Sequence, residues 1–232
     1  MRPATRADLV DLPVEAAPRL LGAVLETEVA GERVRARVTE VEAYHGRGTG
    51  DQPDPGSHAR MGPTARNATM WGEPGHLYVY LSHGIHSCVN VVCGPEGVAG
   101  GVLLRAGEIV EGADIAERRR LERRGAVRSS RDLARGPGRF ADAVGLRHPI
   151  HDGIDAVTGE MRAGARARLL LPDAPPSGVA IGPRVGVAGI AGTDVFPWRF
   201  WIEGDATVSA FRWGRGADEA AARQGDTPSV LD

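Results

Sequence analysis

The sequence predicts an α+β fold, one domain built on a largely antiparallel sheet. Three observations point there: short alternating runs recur, pairs of them are joined by tight-turn residues, and helical periodicity is confined to a few separate stretches. The 232 residues suffice for one sizeable core and do not demand a second. We assign residues 1–213 to that domain and 214–232, where apolar content falls, to a loosely ordered tail. At 42% hydrophobic and 25% charged the composition is that of an ordinary soluble protein. No apolar run approaches the roughly 20 residues of a membrane span. Met1 to Val14 lacks the apolar centre of a signal peptide. Cys88 and Cys93 make no disulfide framework. The expected setting is the cytoplasm, beside the nucleoid in a bacterium, without membrane attachment.

Leu12 to Leu21 reads as a helix with Asp11 as cap and Pro13 early; Pro18 divides or shortens it, and Gly22 ends it. Ala23 to Val29 and Val34 to Val41 form a hairpin across Ala30-Gly31-Glu32. His45 to Gly75 is rich in Gly, Pro, Asp and Asn, a loop long enough to imply function or disorder. His76 to Ser82 and Ile85 to Val92 are strands about a His83-Gly84 turn, and Val98 to Ala106 is another. Glu111 to Arg124 is a charged helix, and Asp132 to Val144 a second one interrupted by Gly136-Pro137-Gly138. Short strands follow at Arg168 to Leu171, Val179 to Ile181, Phe200 to Ile202 and Thr207 to Phe211. No repeat period is visible.

The charge pattern is unusual. All 28 basic residues are arginines. From Arg118 to Arg139 nine of them face only Glu122 and Asp132, a local balance of +7. Arginine suits phosphate because its planar fork donates two parallel hydrogen bonds. A solvated arginine-rich helix is the plainer alternative.

Alternation places Val34, Ala36, Val38, Glu40, Glu42 and Tyr44 on one face of the second strand. An apolar face that runs into carboxylates is costly unless they are paired, hydrogen-bonded or protonated. Glu42 is thus a candidate general base, and a Glu reaching solvent or an arginine at the strand's open end is the alternative. The chain's three tyrosines stand at Tyr44, Tyr78 and Tyr80, the last two on one strand face. Such pairs serve core packing or a base platform. His83, His86, Cys88 and Cys93 offer zinc-ligand types at a spacing that matches no usual site, so no metal is expected.

Several segments in order carry a family resemblance: Glu40-Val-Glu-Ala-Tyr44; His58; Thr64-Ala-Arg-Asn67 with Met70; Gly75-His-Leu-Tyr-Val-Tyr80 with Asn90; Val102-Leu-Leu-Arg105-Ala; and Gly136-Pro-Gly-Arg139. Together, from about Leu20 to about Ala210, they resemble the alkyladenine (3-methyladenine) DNA glycosylase family. The resemblance implies a curved antiparallel sheet like the formyltransferase C-terminal domain, with no helix-hairpin-helix and no cofactor. It implies a monomer that flips damaged purines out of double-stranded DNA and hydrolyses the N-glycosidic bond, leaving an abasic site. By the same resemblance Glu42 is the general base, and Arg105 with the main chain around His58 holds the water. Tyr44, His58 and Tyr80 wall the base pocket, and Asn90 excludes guanine's exocyclic amine. Arg139, Arg66 and Met70 are expected DNA contacts. His83 stands where the family commonly has a wedging tyrosine, a smaller ring that predicts weaker retention of the flipped state.

The residues themselves agree with that chemistry. An alkylated purine already carries positive charge, so a positioned water, a carboxylate and a stacking pocket suffice. A strand-nicking glycosylase generally forms a Schiff base through an amine. Without lysine only the N-terminal amine remains, which favours water as nucleophile. Two other readings stay open: a non-catalytic nucleic-acid-binding domain on this scaffold, and a metal hydrolase on His83, His86 and Cys88.

Overall fold

The computed structural model describes residues 1–124 and 127–225. In chain order the strands are β1 (Arg2–Pro3), β2 (Val24–Val29), β3 (Glu32–His45), β4 (His76–Ser82), β5 (His86–Val92), β6 (Gly100–Glu111), β7 (Ala134–Arg135), β8 (Ile154–Asp155), β9 (Ala165–Leu171), β10 (Val179–Gly182) and β11 (Arg199–Ile202). The α-helices are α1 (Pro13–Ala16), α2 (Ala113–Arg124), α3 (Pro137–Val144) and α4 (Ala217–Gly225). Every strand pairing is antiparallel, in the order β1-β9-β2-β3-β6-β5-β4-β8, and the sheet curls into a half-barrel. The α+β reading holds, with no helix-hairpin-helix among the described residues.

Local turn chemistry sets both expected hairpins. Ala30 and Gly31 join β2 to β3 with φ of 53° and 80°. His83 and Gly84 join β4 to β5 with φ of 50° and 69°. Two left-handed residues in sequence make the turn whose twist matches its flanking strands. Pro18 does divide the first helix: α1 gives way to a 3-10 turn over Ala17–Leu20. Its cap position is Leu12 rather than Asp11. Gly136-Pro137-Gly138 does not interrupt a helix but begins one, with Gly136 at the N-cap and Pro137 in the first turn, where its missing N–H goes unmissed. Thr207 to Phe211 is not a strand, because Ser209 gives its N–H to the Glu40 carboxylate at 2.8 Å instead of to a neighbouring strand. In the segment expected to be loosely ordered, Ala217–Gly225 is helical with Ala217 buried; residues 226–232 lie outside the described residues.

Strand β3 positions the site. Its edge is shared: β2 pairs with Glu32 to Arg37, and β11 takes over at Glu40 to Glu42. On the other edge the register with β6 shifts three times, between Arg35 and Ala36, between Val38 and Glu40 and between Glu40 and Val41. At the last two shifts Thr39 is the extra residue on β3 and Arg105 the extra one on β6. Bulges bend a strand and re-aim side chains. Here they reverse the parity. Val34, Ala36 and Val38 lie in the core, and after the slip Val41 and Ala43 join the same core. Glu40, Glu42 and Tyr44 therefore leave the face that simple alternation gave them. They do not interrupt the apolar face; they occupy the opposite one.

Beneath the sheet Leu25, Leu77, Leu104, Leu169 and Phe140 of α3 form the main cluster, each fully covered. Burial on that scale contributes about 1.5–3 kcal/mol per large apolar side chain. Gly107, opposite Val38 at the slip, has no room for a side chain: a Cβ would lie 2.6 Å from the Arg37 carbonyl oxygen.

Candidate active site

Register builds the site as a transverse row. Glu42 pairs with Leu103, Leu103 with Asn90, and Asn90 with Tyr78, while Arg199 flanks Glu42 on the other side. Residues directly opposite one another in antiparallel strands point to the same face. Five strands thus bring distant sequence positions onto one surface. That surface floors a cleft of ≈ 1210 Å³. Its lining includes Glu42, Tyr44, His58, Met70, Tyr80, His83, Asn90, Arg105 and Arg139. Arg66 does not line it but borders a neighbouring depression of ≈ 210 Å³ with His58 and Arg60.

Glu42 is fully covered, and each carboxylate oxygen has a donor. The Val185 N–H donates to Oε1 at 2.7 Å, and the Tyr44 hydroxyl to Oε2 at 2.8 Å. Arg105 Nη1 lies 3.6 Å from Oε1. Burial, and next the Glu42 charge, push the Tyr44 phenol well above its ordinary range, so it remains a donor. Burial works against the Arg105 charge, but Glu42 and Glu40 more than offset it and hold its pKa above the usual value.

Glu40 has a different environment. Arg199 Nε at 2.7 Å, the Ser209 hydroxyl at 3.0 Å and N–H at 2.8 Å, and Arg105 Nε at 3.1 Å surround its carboxylate. Behind Tyr44 the fully buried Arg184 makes a two-pronged pair with Asp54 at 2.7 and 2.8 Å. Its guanidinium stacks 4.6 Å from the Tyr44 ring centre. That pair ties the segment carrying Val185 to the long loop carrying His58.

Tyr78 and Tyr80 stack at 5.4 Å, and the His58 ring stands edge-on to Tyr80 at 4.5 Å. Burial, then Arg66 and Arg60, lower the His58 pKa, which favours neutral imidazole. Asn90 donates Nδ2–H to the Tyr78 carbonyl at 3.0 Å, which fixes its amide. Met70 is buried with Ala59, Tyr78, Val92 and Ala99, at the pocket floor rather than on an outer surface. His83 is exposed at the hairpin tip, and Arg139 is half exposed at the start of α3. Of the candidate metal ligands Cys93 lies in the main core, while His83, His86 and Cys88 line the cleft. Among the described residues no three His, Cys, Asp or Glu side chains are placed to hold a metal ion.

In the arginine-rich stretch Arg119 and Arg120 are buried, and several of the others are paired. Arg118 pairs with Glu32, Arg119 reaches the Ala143 carbonyl, and Arg120 and Arg123 pair with Asp142. Arg135 and Arg139 line the cleft beyond it. The local +7 therefore overstated the charge offered to a ligand, because acids remote in sequence neutralise α2. Arg184, Asp54 and Val185 had no expected role. Their one sequence signal is an arginine inside an apolar, glycine-rich stretch, Gly182-Pro-Arg-Val-Gly186.

Residues 8–206 match the family model described as methylpurine-DNA glycosylase (MPG). Proteins from Leifsonia xyli, Streptomyces avermitilis and Nocardia farcinica, each named "Putative 3-methyladenine DNA glycosylase", are 51%, 48% and 47% identical. The matches cover 86%, 90% and 92% of this chain and 88%, 92% and 94% of those proteins.

Proposed function

The chain belongs to the methylpurine-DNA glycosylase family, hydrolases of the N-glycosidic bond that act in repair of alkylated bases, and from that premise we propose that Glu42 is the general base of a water-mediated excision. The observation that carries the reading is the placement of Glu42: a fully covered carboxylate at a cleft floor, each oxygen held by a donor and Arg105 alongside. Donors and a guanidinium suit an acceptor-only carboxylate.

In the proposed reaction a damaged purine enters the cleft from double-stranded DNA and stacks among Tyr44, His58 and Tyr80. A water, held by Arg105 and the main chain at His58, loses a proton to Glu42 and attacks the anomeric carbon. The bond to the purine nitrogen breaks, its electron pair leaves with the base, and an abasic site remains. A cationic alkylated base departs neutral, so the protein's task is positioning and stabilising the oxocarbenium-like sugar. Because Tyr44 covers Glu42, the water reaches the carboxylate only as the incoming nucleotide shifts that hydroxyl. Asn90, its amide fixed, stands against a purine 2-amino group. Met70 meets the flipped base from below, while Arg139 and Arg66 meet the phosphates and His83 fills the gap in the duplex. The absence of lysine supports water over an amine as nucleophile. Among the described residues no helix is long and apolar enough to cross a membrane. We take the working form to be a monomer.

The test is incubation of the protein with duplexes carrying 3-methyladenine, 7-methylguanine, hypoxanthine or ethenoadenine, followed by alkali. Cleavage at the damaged position is expected for several of these bases and absent without alkali. Cleavage without alkali, or none at any base, contradicts the reading.

A further inference from the structure

The cleft has two rims. One is the β4–β5 hairpin with His83; the other is the segment Phe211-Arg-Trp-Gly-Arg215, which lies beyond residue 206, where the family match ends. Phe211 and Arg212 line the cleft. Phe211 and Trp213 meet edge to face at 4.9 Å and 83°, yet remain 39% and 42% exposed. Arg212 and Arg215 beside them are exposed as well. Two large aromatic rings left in water beside a binding cleft, with arginines interleaved, have the composition of a stacking platform for nucleic acid.

The segment is also held firmly. Arg212 accepts the Gly186 N–H at 2.9 Å, and Arg215 accepts the Gly189 N–H at 3.0 Å. Four residues upstream of Trp213, Ser209 accepts Arg105 Nε at 3.2 Å. Rings on a fixed backbone lose little freedom when a base stacks on them.

We propose that Phe211 and Trp213, with Arg212 and Arg215, form a second DNA-contacting rim that stacks on a nucleobase next to the flipped nucleotide. The occupant is DNA rather than protein because the platform is continuous with the cleft and its charges are positive. The rim complements a hairpin whose exposed tip is His83-Gly84-Ile85. This inference rests on the chain acting on DNA.

The test measures Kd by fluorescence anisotropy on a duplex carrying a tetrahydrofuran abasic-site analogue, at several salt concentrations. Trp213→Ala is expected to weaken binding roughly tenfold, and Trp213→Phe to stay within about threefold of the parent, as one stacked base implies. Arg215→Ala should lower the slope of log Kd against log salt by about one. Matching unfolding midpoints show that each variant is folded; Trp213 is 42% exposed and meets Phe211, whereas Phe211 also lies 5.8 Å from buried Arg199. The proposal is overturned if Trp213→Ala and the Phe211→Ala/Trp213→Ala double variant bind within twofold of the parent at every salt concentration. A change in sedimentation without a change in Kd also overturns it, in favour of self-association. Failure of the parent protein itself to bind the abasic duplex overturns the glycosylase reading along with it.

Discussion

The two halves of β3 carry the same kinds of residue and use them in opposite ways. Before Thr39 the arginines Arg33, Arg35 and Arg37 stand on the outer face, partly exposed and paired with Glu111, Glu26, Glu108 and Asp205. Such pairs are screened by water and contribute about 0–1 kcal/mol each. Beyond Thr39 the charged side chains are Glu40 and Glu42, both fully covered. There a lost partner leaves an uncompensated charge in a dry setting, which costs far more. One inserted residue separates a solvated charge pattern from a buried one.

Lengthening the insertion is the severest test of that contrast. One alanine added between Thr39 and Glu40 moves every later side chain of the strand to the other face, which turns Glu40 and Glu42 toward the core and Val41 and Ala43 out of it. We expect no cooperative unfolding transition in circular dichroism; a folded, cooperative insertion variant contradicts the role given to the bulge.

The next largest effect separates the halves by energy. Glu40→Ala leaves Arg105 and Arg199 without their shared carboxylate and should cost about 3–5 kcal/mol in urea unfolding. Arg33→Ala, in the first half, should cost at most about 1 kcal/mol. Similar costs for the two would erase the distinction.

A smaller effect is expected from pH. His58 has its pKa lowered, by burial first, so its neutral form persists below the ordinary imidazole value of about 6.5. Protonation at lower pH puts a cation on the pocket wall and disfavours a cationic alkylated purine more than neutral hypoxanthine. The ratio of 3-methyladenine to hypoxanthine excision should hold from pH 8 to about 6.5 and fall only below it. A ratio already falling above that value contradicts the assignment, and His58→Phe should flatten the profile.

Much of this architecture is legible locally. Ala30-Gly31 and His83-Gly84 specify their turns from two residues each, and the period-2 runs around them follow. Parity beyond Thr39 is not legible, because the bulge is set by the partner strand, where Gly107 leaves room for the Arg37 carbonyl. The α2 arginines mislead for the same reason: Glu32 and Asp142, which neutralise them, are remote in sequence. Arg184 and Asp54, 130 positions apart, meet only in the folded chain. Glu42 is legible as a residue, but the face it occupies is not.

The most direct test of the account is Glu42→Gln in single-turnover excision of hypoxanthine from a duplex, with binding to the abasic analogue measured in parallel. The amide can accept the Val185 N–H through its oxygen and donate to Tyr44, so the fold is retained. The account predicts binding within a few fold of the parent and excision slowed by roughly 10²–10⁴-fold, the usual contribution of a positioned base. Excision at the parent rate would show that Glu42 does not activate the water.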